Sequence, residues 1–243
     1  MGHYSANPAR QAPVRRDSQI SPQEPGLKKS KNLTLKVYNR IMKLMLGYEI
    51  VPGQRLVFVD LANQLKVSRT PVNNALSILA QEGYLDFVPN QGYSVRRLSQ
   101  KDAEELYQIR EVLEVGFIEQ AIKNITEKKL INVEKQKLAY EKAISDRVHR
   151  NLFILDTEFH LAILDMAGNR ILSARYQDLS QKIFLRFRIE ELKIDRIDQI
   201  CIEHHQLYEA LSLRDAERAK GLIMVHHQNS RESLFPIIFQ EKN

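Results

Sequence analysis

Residues Leu61–Leu85, LANQLKVSRTPVNNALSILAQEGYL, decide the fold of this chain. Val59 to Leu65 reads as a short helix, with Leu61, Ala62 and Leu65 as its apolar positions. A tight turn through Lys66, Val67 and Ser68 follows. Thr70 then stands before Pro71, the order of an N-cap and a first-turn proline, whose missing N–H costs nothing there. The second helix runs to Glu82 and stops at Gly83. Two short helices joined by so brief a turn make a helix-turn-helix.

The flanks complete that unit. Upstream, Leu33, Val37, Ile41, Leu44 and Met45 recur at helical spacing over Leu33 to Gly47, and Pro52-Gly53 breaks the chain after them. Downstream, Tyr84 to Val88 and Tyr93 to Val95 alternate like strands around Pro89-Asn90-Gln91-Gly92, which predicts a hairpin wing. Charge points to a polyanionic partner: residues 1–98 hold 14 Lys and Arg against 6 Asp and Glu, a surplus of +8, whereas the rest carries −2. Lysines and arginines placed on phosphates release condensed counterions and gain affinity. The expected arrangement is double-stranded DNA read by the helix from Pro71, with the wing on the neighbouring backbone or minor groove. The DNA-facing set is Arg55, Ser68, Arg69, Thr70, Asn73 and Asn74, with Asn90, Gln91 and Gly92 in the wing.

This half resembles the GntR-type regulators, through the quoted stretch, the Pro52-Gly53 ahead of it and the Gly92 wing. The resemblance covers about 65 residues and has one departure. Family members usually carry Arg-Glu where this chain has Asn73-Asn74, and the missing arginine is typically a base reader; Arg69 remains at the other contact position. Asparagine pairs with adenine where arginine prefers guanine, so an operator shifted toward adenine at that base is expected. The alternative is two asparagines merely tolerated on an exposed helical face.

The second half reads as a mainly helical domain. Ser99 with Asp102 has the spacing of a capping box, and Asp102 to Lys123 carries Leu106, Ile109, Leu113 and Phe117 at helical intervals. Further amphipathic stretches follow at about 126–145, 147–167, 170–192, 198–213 and 215–233, which predicts an antiparallel bundle of six or seven helices. Asp156 and His160 share a helical face. His204 and His226 each lie 11 residues from Asp215, the expected turn of a helical hairpin, so their imidazoles meet at one level about 16 Å along each helix. His205 and His227 satisfy the same symmetry. However, His204 falls on a stripe with Ile197, Ile200, Leu207 and Leu211, and His226 follows Ala219, Leu222 and Ile223, whereas His205 lines up with Asp198 and Glu209, and His227 with Lys220 and Arg231. The inward pair is therefore His204 and His226, with His149 in reserve beside Asp156. One carboxylate and three imidazoles suit a divalent transition metal, zinc first, with nickel, iron and manganese as alternatives. The competing reading is that these are ordinary interior histidines satisfied by hydrogen bonds.

This half resembles the FCD effector domain of the FadR-like GntR subgroup, through YQIREVLE, DTEFHLAILDMAGN, EHHQLYEAL and DAERAKGLIMVHH. On that resemblance Asp156, His160, His204 and His226 are the metal ligands, and the metal anchors a small organic acid. Arg110, Arg186 and Arg188 are candidates to pair with its carboxylate, each equally readable as a structural ion pair.

The expected domains are a disordered basic arm (1–31), a winged helix-turn-helix (32–98), the helical effector domain (99–236) and a tail (237–243). With 43% hydrophobic and 27% charged residues and no long apolar run, a membrane segment is not expected. The single cysteine, Cys201, fits a reducing cytoplasm. A homodimeric transcription regulator, repressing until an effector binds, is the expected function. Its rivals are a metal-dependent hydrolase or oxygenase, which lacks a separate general base here, and a DNA-architectural protein without an effector.

Overall fold

The computed structural model describes residues 25–146, 151–186 and 194–239. His149 and Arg188 lie outside them. The first helix, α1 (Pro25–Leu46), buries Val37, Ile41 and Met45. It begins earlier than the expected Leu33, so residues 25–31 of the anticipated arm are helical. Pro25 supplies a preset first-turn φ, and lengthening an existing helix costs far less than nucleating one.

Helices α2 (Phe58–Leu65) and α3 (Arg69–Gln81) form the helix-turn-helix. Lys66 closes α2 in the left-handed conformation, with φ of 56°. The cap of α3 differs from expectation: Ser68 is its N-cap residue and makes no side-chain cap bond, while Thr70 is already helical. Pro71 thus stands third in the helix, still within the first turn where backbone N–H groups lack intrahelical acceptors, so its ring is tolerated. At the other end Gly83 adopts φ of +84°; its N–H reaches Ala80 O at 3.0 Å and that of Tyr84 reaches Leu79 O at 2.9 Å, a Schellman termination.

The wing is the antiparallel pair β2 (Leu85–Val88) and β3 (Gly92–Val95), with Val88 opposite Gly92 and Leu85 opposite Val95. A third strand, β1 (Arg55–Leu56), joins β3 on its other side, giving the order β1-β3-β2. Two residues are too few to show a period, so β1 left no mark in the sequence.

Among the described residues the second domain has six helices: α4 (Gln100–Lys123), α5 (Glu127–Ser145), α6 (Leu152–Asp165), α7 (Arg170–Arg186), α8 (Ile194–Ser212) and α9 (Ala216–Phe239). Ser99 Oγ accepts the N–H of Asp102 at 3.1 Å, Thr126 caps α5 and Asn169 caps α7 in the same way. Helix α9 runs past the expected helix end at 233 and the expected domain end at 236, because Phe235 packs edge-on against Tyr107 at 5.4 Å and Phe239 against Phe235 at 5.5 Å. Residues 237–239 are therefore helix rather than tail.

The two domains share apolar packing. One buried cluster runs from Ile41, Leu76 and Leu79 of the head into Phe153, Phe184 and Leu234 of the bundle. Phe184 stacks on Phe153 at 5.7 Å and meets Tyr48, just beyond α1, edge-on at 5.5 Å. Tyr84 Oη donates to Asp178 Oδ1 on α7 at 3.2 Å. The head is thus seated on α6 and α7, with a second core in the bundle around Phe159, Tyr176 and Leu211.

Candidate metal centre and nucleic-acid face

On α3, Pro71, Val72, Ala75, Leu76 and Leu79 face the core, which leaves Arg69, Thr70, Asn73 and Asn74 exposed together with Ser68. At the wing, Asn90 and Gln91 are exposed and Gly92 is half-buried. Asn90 and Gly92 take φ of 64° and 86°, turning the chain between β2 and β3. Arg55 Nε donates to the carbonyl of Gln91 at 2.7 Å, so this side chain braces the wing tip. The structure therefore gathers the residues expected to face DNA into two exposed groups, one on α3 and one at the wing.

Deep in the bundle, α6 brings Asp156 and His160 to His204 of α8 and His226 of α9, all buried. The apolar stripe foreseen for His204 is observed: Ile197, Ile200, Leu207 and Leu211 are buried with it, whereas His205 is exposed beside Glu209. His204 lies against Phe159 at 4.1 Å and Tyr140 at 5.1 Å between ring centres. From Asp156 Oδ1 to the Nε2 atoms of His204, His226 and His160 the distances are 3.3, 3.4 and 3.7 Å. The Nε2 atoms of His160 and His226 face each other at 3.2 Å. Bonds of about 2.1 Å to one ion would set neighbouring ligand atoms roughly 3.0–3.5 Å apart, close to these separations.

The surroundings fix which nitrogens face inward. His226 Nδ1 lies 2.7 Å from Glu203 Oε2, and His160 Nδ1 lies 2.7 Å from Glu114 Oε2, although off the direction of a good hydrogen bond. Carboxylates at both Nδ1 positions favour protons there, which aims the two Nε2 lone pairs at one another. Two facing lone pairs need a cation or a proton between them. Asp156 Oδ1 and His204 Nε2 are likewise buried with no hydrogen-bond partner, a cost of about 1–3 kcal/mol each that a shared ion removes. The four residues therefore fit a divalent metal by geometry and by donor chemistry.

The electrostatics favour positive charge at this point. Burial pushes His204 down to about 4, which leaves it neutral and ready to ligate. Burial also opposes protonation of His226, but Asp156 and Glu203 overcome it and carry that imidazole up to about 9, so without an ion a proton stands between the facing nitrogens, and a metal would displace it. Against their own burial, the neighbouring imidazoles hold Asp156 and Glu114 well below the usual carboxylate range.

Four participants escaped the sequence reading. His227, expected to point outward, is buried and lies 2.9 Å from Glu114 Oε1. Its stripe is polar because it faces α4: Lys220 pairs with Glu119, and Arg231 with Glu111 at 2.7 Å. Helix α9 is packed on both α8 and α4, so adjacent histidines are both covered. Glu114 also accepts Tyr176 Oη at 2.7 Å. Buried Arg196 holds Glu203 with two nitrogens at 2.8 and 3.0 Å and donates to Ser230 at 2.9 Å. The spacing of Arg196 and Glu203, seven residues along one helical face, was the available signal.

Of the candidate effector arginines, Arg110 lines a cavity of about 30 Å³ together with Asp156, His226 and Arg196. That is room for a water or two before side chains move. Arg110 donates to Tyr176 Oη at 2.6 Å, with Asp156 Oδ2 3.6 Å away. Arg186 does not line it: its guanidinium pairs with Asp102 at 2.7 Å, at the start of α4, because its position at the end of α7 faces the domain joint. Cys201 is half-buried, and burial raises its thiol to about 11, the behaviour of a small apolar residue.

Among the described residues no helix is long and apolar enough to cross a membrane. Residues 33–95 match the family described as bacterial regulatory proteins, gntR family, and residues 105–229 match the FCD domain. The HTH-type transcriptional regulator YdhC of Bacillus subtilis (strain 168) is 29% identical over 209 residues, covering 86% of this chain and 93% of that one. The HTH-type transcriptional regulator McbR of Escherichia coli (strain K12) is 28% identical over 228 residues, covering 90% and 99%. A solved structure of E. coli McbR/YncC superposes with a TM-score of 0.74 at 25% identity, over 84% of this chain and 98% of that one. Exposed recognition helix, braced wing and helical bundle, with these matches, show that the chain belongs to the GntR family and is a DNA-binding transcription regulator with a C-terminal FCD domain, not an enzyme.

Proposed function

We propose that this regulator is a cytoplasmic homodimeric repressor whose grip on its operator is set by a small organic acid bound at a metal in the helical bundle. The observation that carries the proposal is the meeting of Asp156 Oδ1 with three imidazole Nε2 atoms, two of them facing at 3.2 Å. Asp156, His160, His204 and His226 would hold the ion, zinc first, with nickel, iron or manganese on the same ligands. When bound, it supplies a Lewis-acidic anchor for a carboxylate. Arg110 adds a fixed positive charge at the cavity wall, and Arg196 orients His226 through Glu203. A dimer sets two α3 helices about 34 Å apart on operator half-sites, and the effector alters their spacing or tilt. The sign, repression relieved by the effector, is the one the family resemblance carries.

Native mass spectrometry of protein purified without chelator tests these parts together: the expected mass is a dimer with one metal per chain, and an acid bound only to the metal-loaded form. A metal-free monomer would overturn the proposal.

Two DNA predictions accompany it. Arg69→Ala should weaken operator binding about 5- to 150-fold, the worth of one lost base contact of about 1–3 kcal/mol, with much less effect on random duplex. Fluorescence anisotropy on both duplexes measures it. Selection from random DNA should fix an adenine facing Asn73, because its amide matches adenine N6 and N7. A guanine fixed there would reject that pairing.

A further inference from the structure

One stripe of α4 lies open on the surface of the bundle. Glu105, Ile109, Val112, Gly116, Glu119 and Lys123 are all exposed and follow one another at steps of four, three, four, three and four residues. Alternating steps of that kind average 3.5, the period that keeps a seam aligned with a second helix. Val112 is 69% exposed and Ile109 47%, whereas Tyr107, Arg110, Glu114 and Ile118 on the opposite face are buried. The pairs Lys220 with Glu119 and Arg231 with Glu111 set α9 antiparallel beside α4, so Met224, 50% exposed, stands level with Gly116 and widens the apolar patch. Gly116 is the odd member. A Cβ added there would meet no atom within 4 Å, and glycine inside a helix costs about 1 kcal/mol relative to alanine. Packing within the chain gives no reason for it; another chain approaching that spot does.

We propose that this stripe is the seam of the homodimer, with two copies of α4 packed antiparallel about a twofold axis at the level of residue 114. The inference rests on the homodimer proposed above and names the surface that makes it. What singles out a second copy of this chain is self-complementarity, which an interface closed by a twofold axis demands. Antiparallel pairing about that level returns the stripe to itself: Val112 meets the partner's Gly116, Ile109 the partner's Glu119 and Glu105 the partner's Lys123. Each contact occurs twice. An exposed valine enters a gap that lacks a side chain, and a carboxylate meets an ammonium at both ends of the seam. Within its own chain Glu105 has Lys101, 3.9 Å away on the open surface, a pairing worth little. Glu119 is already held by Lys220, so its methylenes are what Ile109 meets. Parallel helices would instead set Glu105 and Lys123 each against its own copy, and facing like charges repel.

Sedimentation equilibrium of the full-length protein, from nanomolar to micromolar concentration, reads the dimer dissociation constant, and circular dichroism checks folding. Gly116→Leu fills open space in the subunit and removes a glycine from a helix interior, so the fold should be kept while the dimer weakens at least about tenfold, because Val112 loses its gap. Glu105→Lys and Lys123→Glu should each weaken the dimer about 3- to 30-fold, since each sets two like-charged pairs at the ends of the seam. The two together reverse both charges and should bring the constant back to within about twofold of the wild type. This charge exchange decides the register even where Gly116→Leu alters folding. A wild type that stays monomeric would overturn the homodimer and the seam together. A wild-type dimer unmoved by a folded Gly116→Leu variant, or charge variants that fail to rescue each other, would overturn the seam alone.

Discussion

Protein carrying His204→Ala and His226→Ala is expected to leave purification without metal, whereas the wild type retains about one ion per chain. Two of four ligands are gone, and the remaining pair, Asp156 and His160, sits one helical turn apart on α6 alone. Without helices α8 and α9 contributing, nothing closes the coordination sphere. A metal held at about a thousand times its dissociation constant adds roughly 4 kcal/mol of stability. At about 2–4 °C per kcal/mol for chains of this size, chelator should lower the wild-type melting temperature on the order of 10 °C. The double variant should melt at one temperature with or without chelator. Affinity for random duplex should be retained, because Arg69 and the wing lie in the other domain. Metal analysis by mass spectrometry and melting curves with chelator measure both effects; an undiminished metal content in the variant would show that these histidines are not ligands.

The second large effect is expected at Glu114. Its carboxylate is buried at the meeting point of Tyr176 Oη, His227 Nε2 and His160 Nδ1, with Arg110 Nη2 3.8 Å away. Glu114→Ala leaves the guanidinium of Arg110 with less compensating charge in the interior and strips His227 of its partner. Removing one member of such a buried network costs about 3–5 kcal/mol. That corresponds to a fall of roughly 6–20 °C in melting temperature. The same substitution removes the carboxylate behind the proposed ligand His160, so metal affinity should drop about 10- to 100-fold. Glu114→Gln keeps the shape and one acceptor oxygen, and should recover part of the stability but little of the affinity. Denaturant titration in chelator separates the first effect from the second, which a metal titration reads. A loss under 1 kcal/mol for Glu114→Ala would mean the network is relieved by rearrangement.

Local chemistry made much of this molecule readable. The helix-turn-helix lay open because its signals act within a few residues: the apolar positions of α2, the stop at Gly83 and the alternation of the wing. The candidate metal cluster was legible because helical rise and a hairpin turn at Asp215 convert spacing into level, and the Ile197, Ile200, Leu207 stripe then chose His204 over His205. The same reasoning failed at His227, since a polar stripe was read as solvent-facing when its partners were Glu111 and Glu119 on another helix. Glu114 was invisible for the same reason: nothing near it in sequence announces that Tyr176, His160 and His227 converge on it.

The chain's own periodicity and turn chemistry determined which segments are helical, which face of α3 is free for DNA, and that an aspartate and three histidines share one level of the bundle. Only the packed structure decided the pairing of Arg186 with Asp102 at the domain joint and the carboxylates behind the imidazoles. Side-chain periodicity reports a residue's face on its own helix. What meets that face depends on contacts between segments far apart in the chain, and those exist only once the helices are assembled.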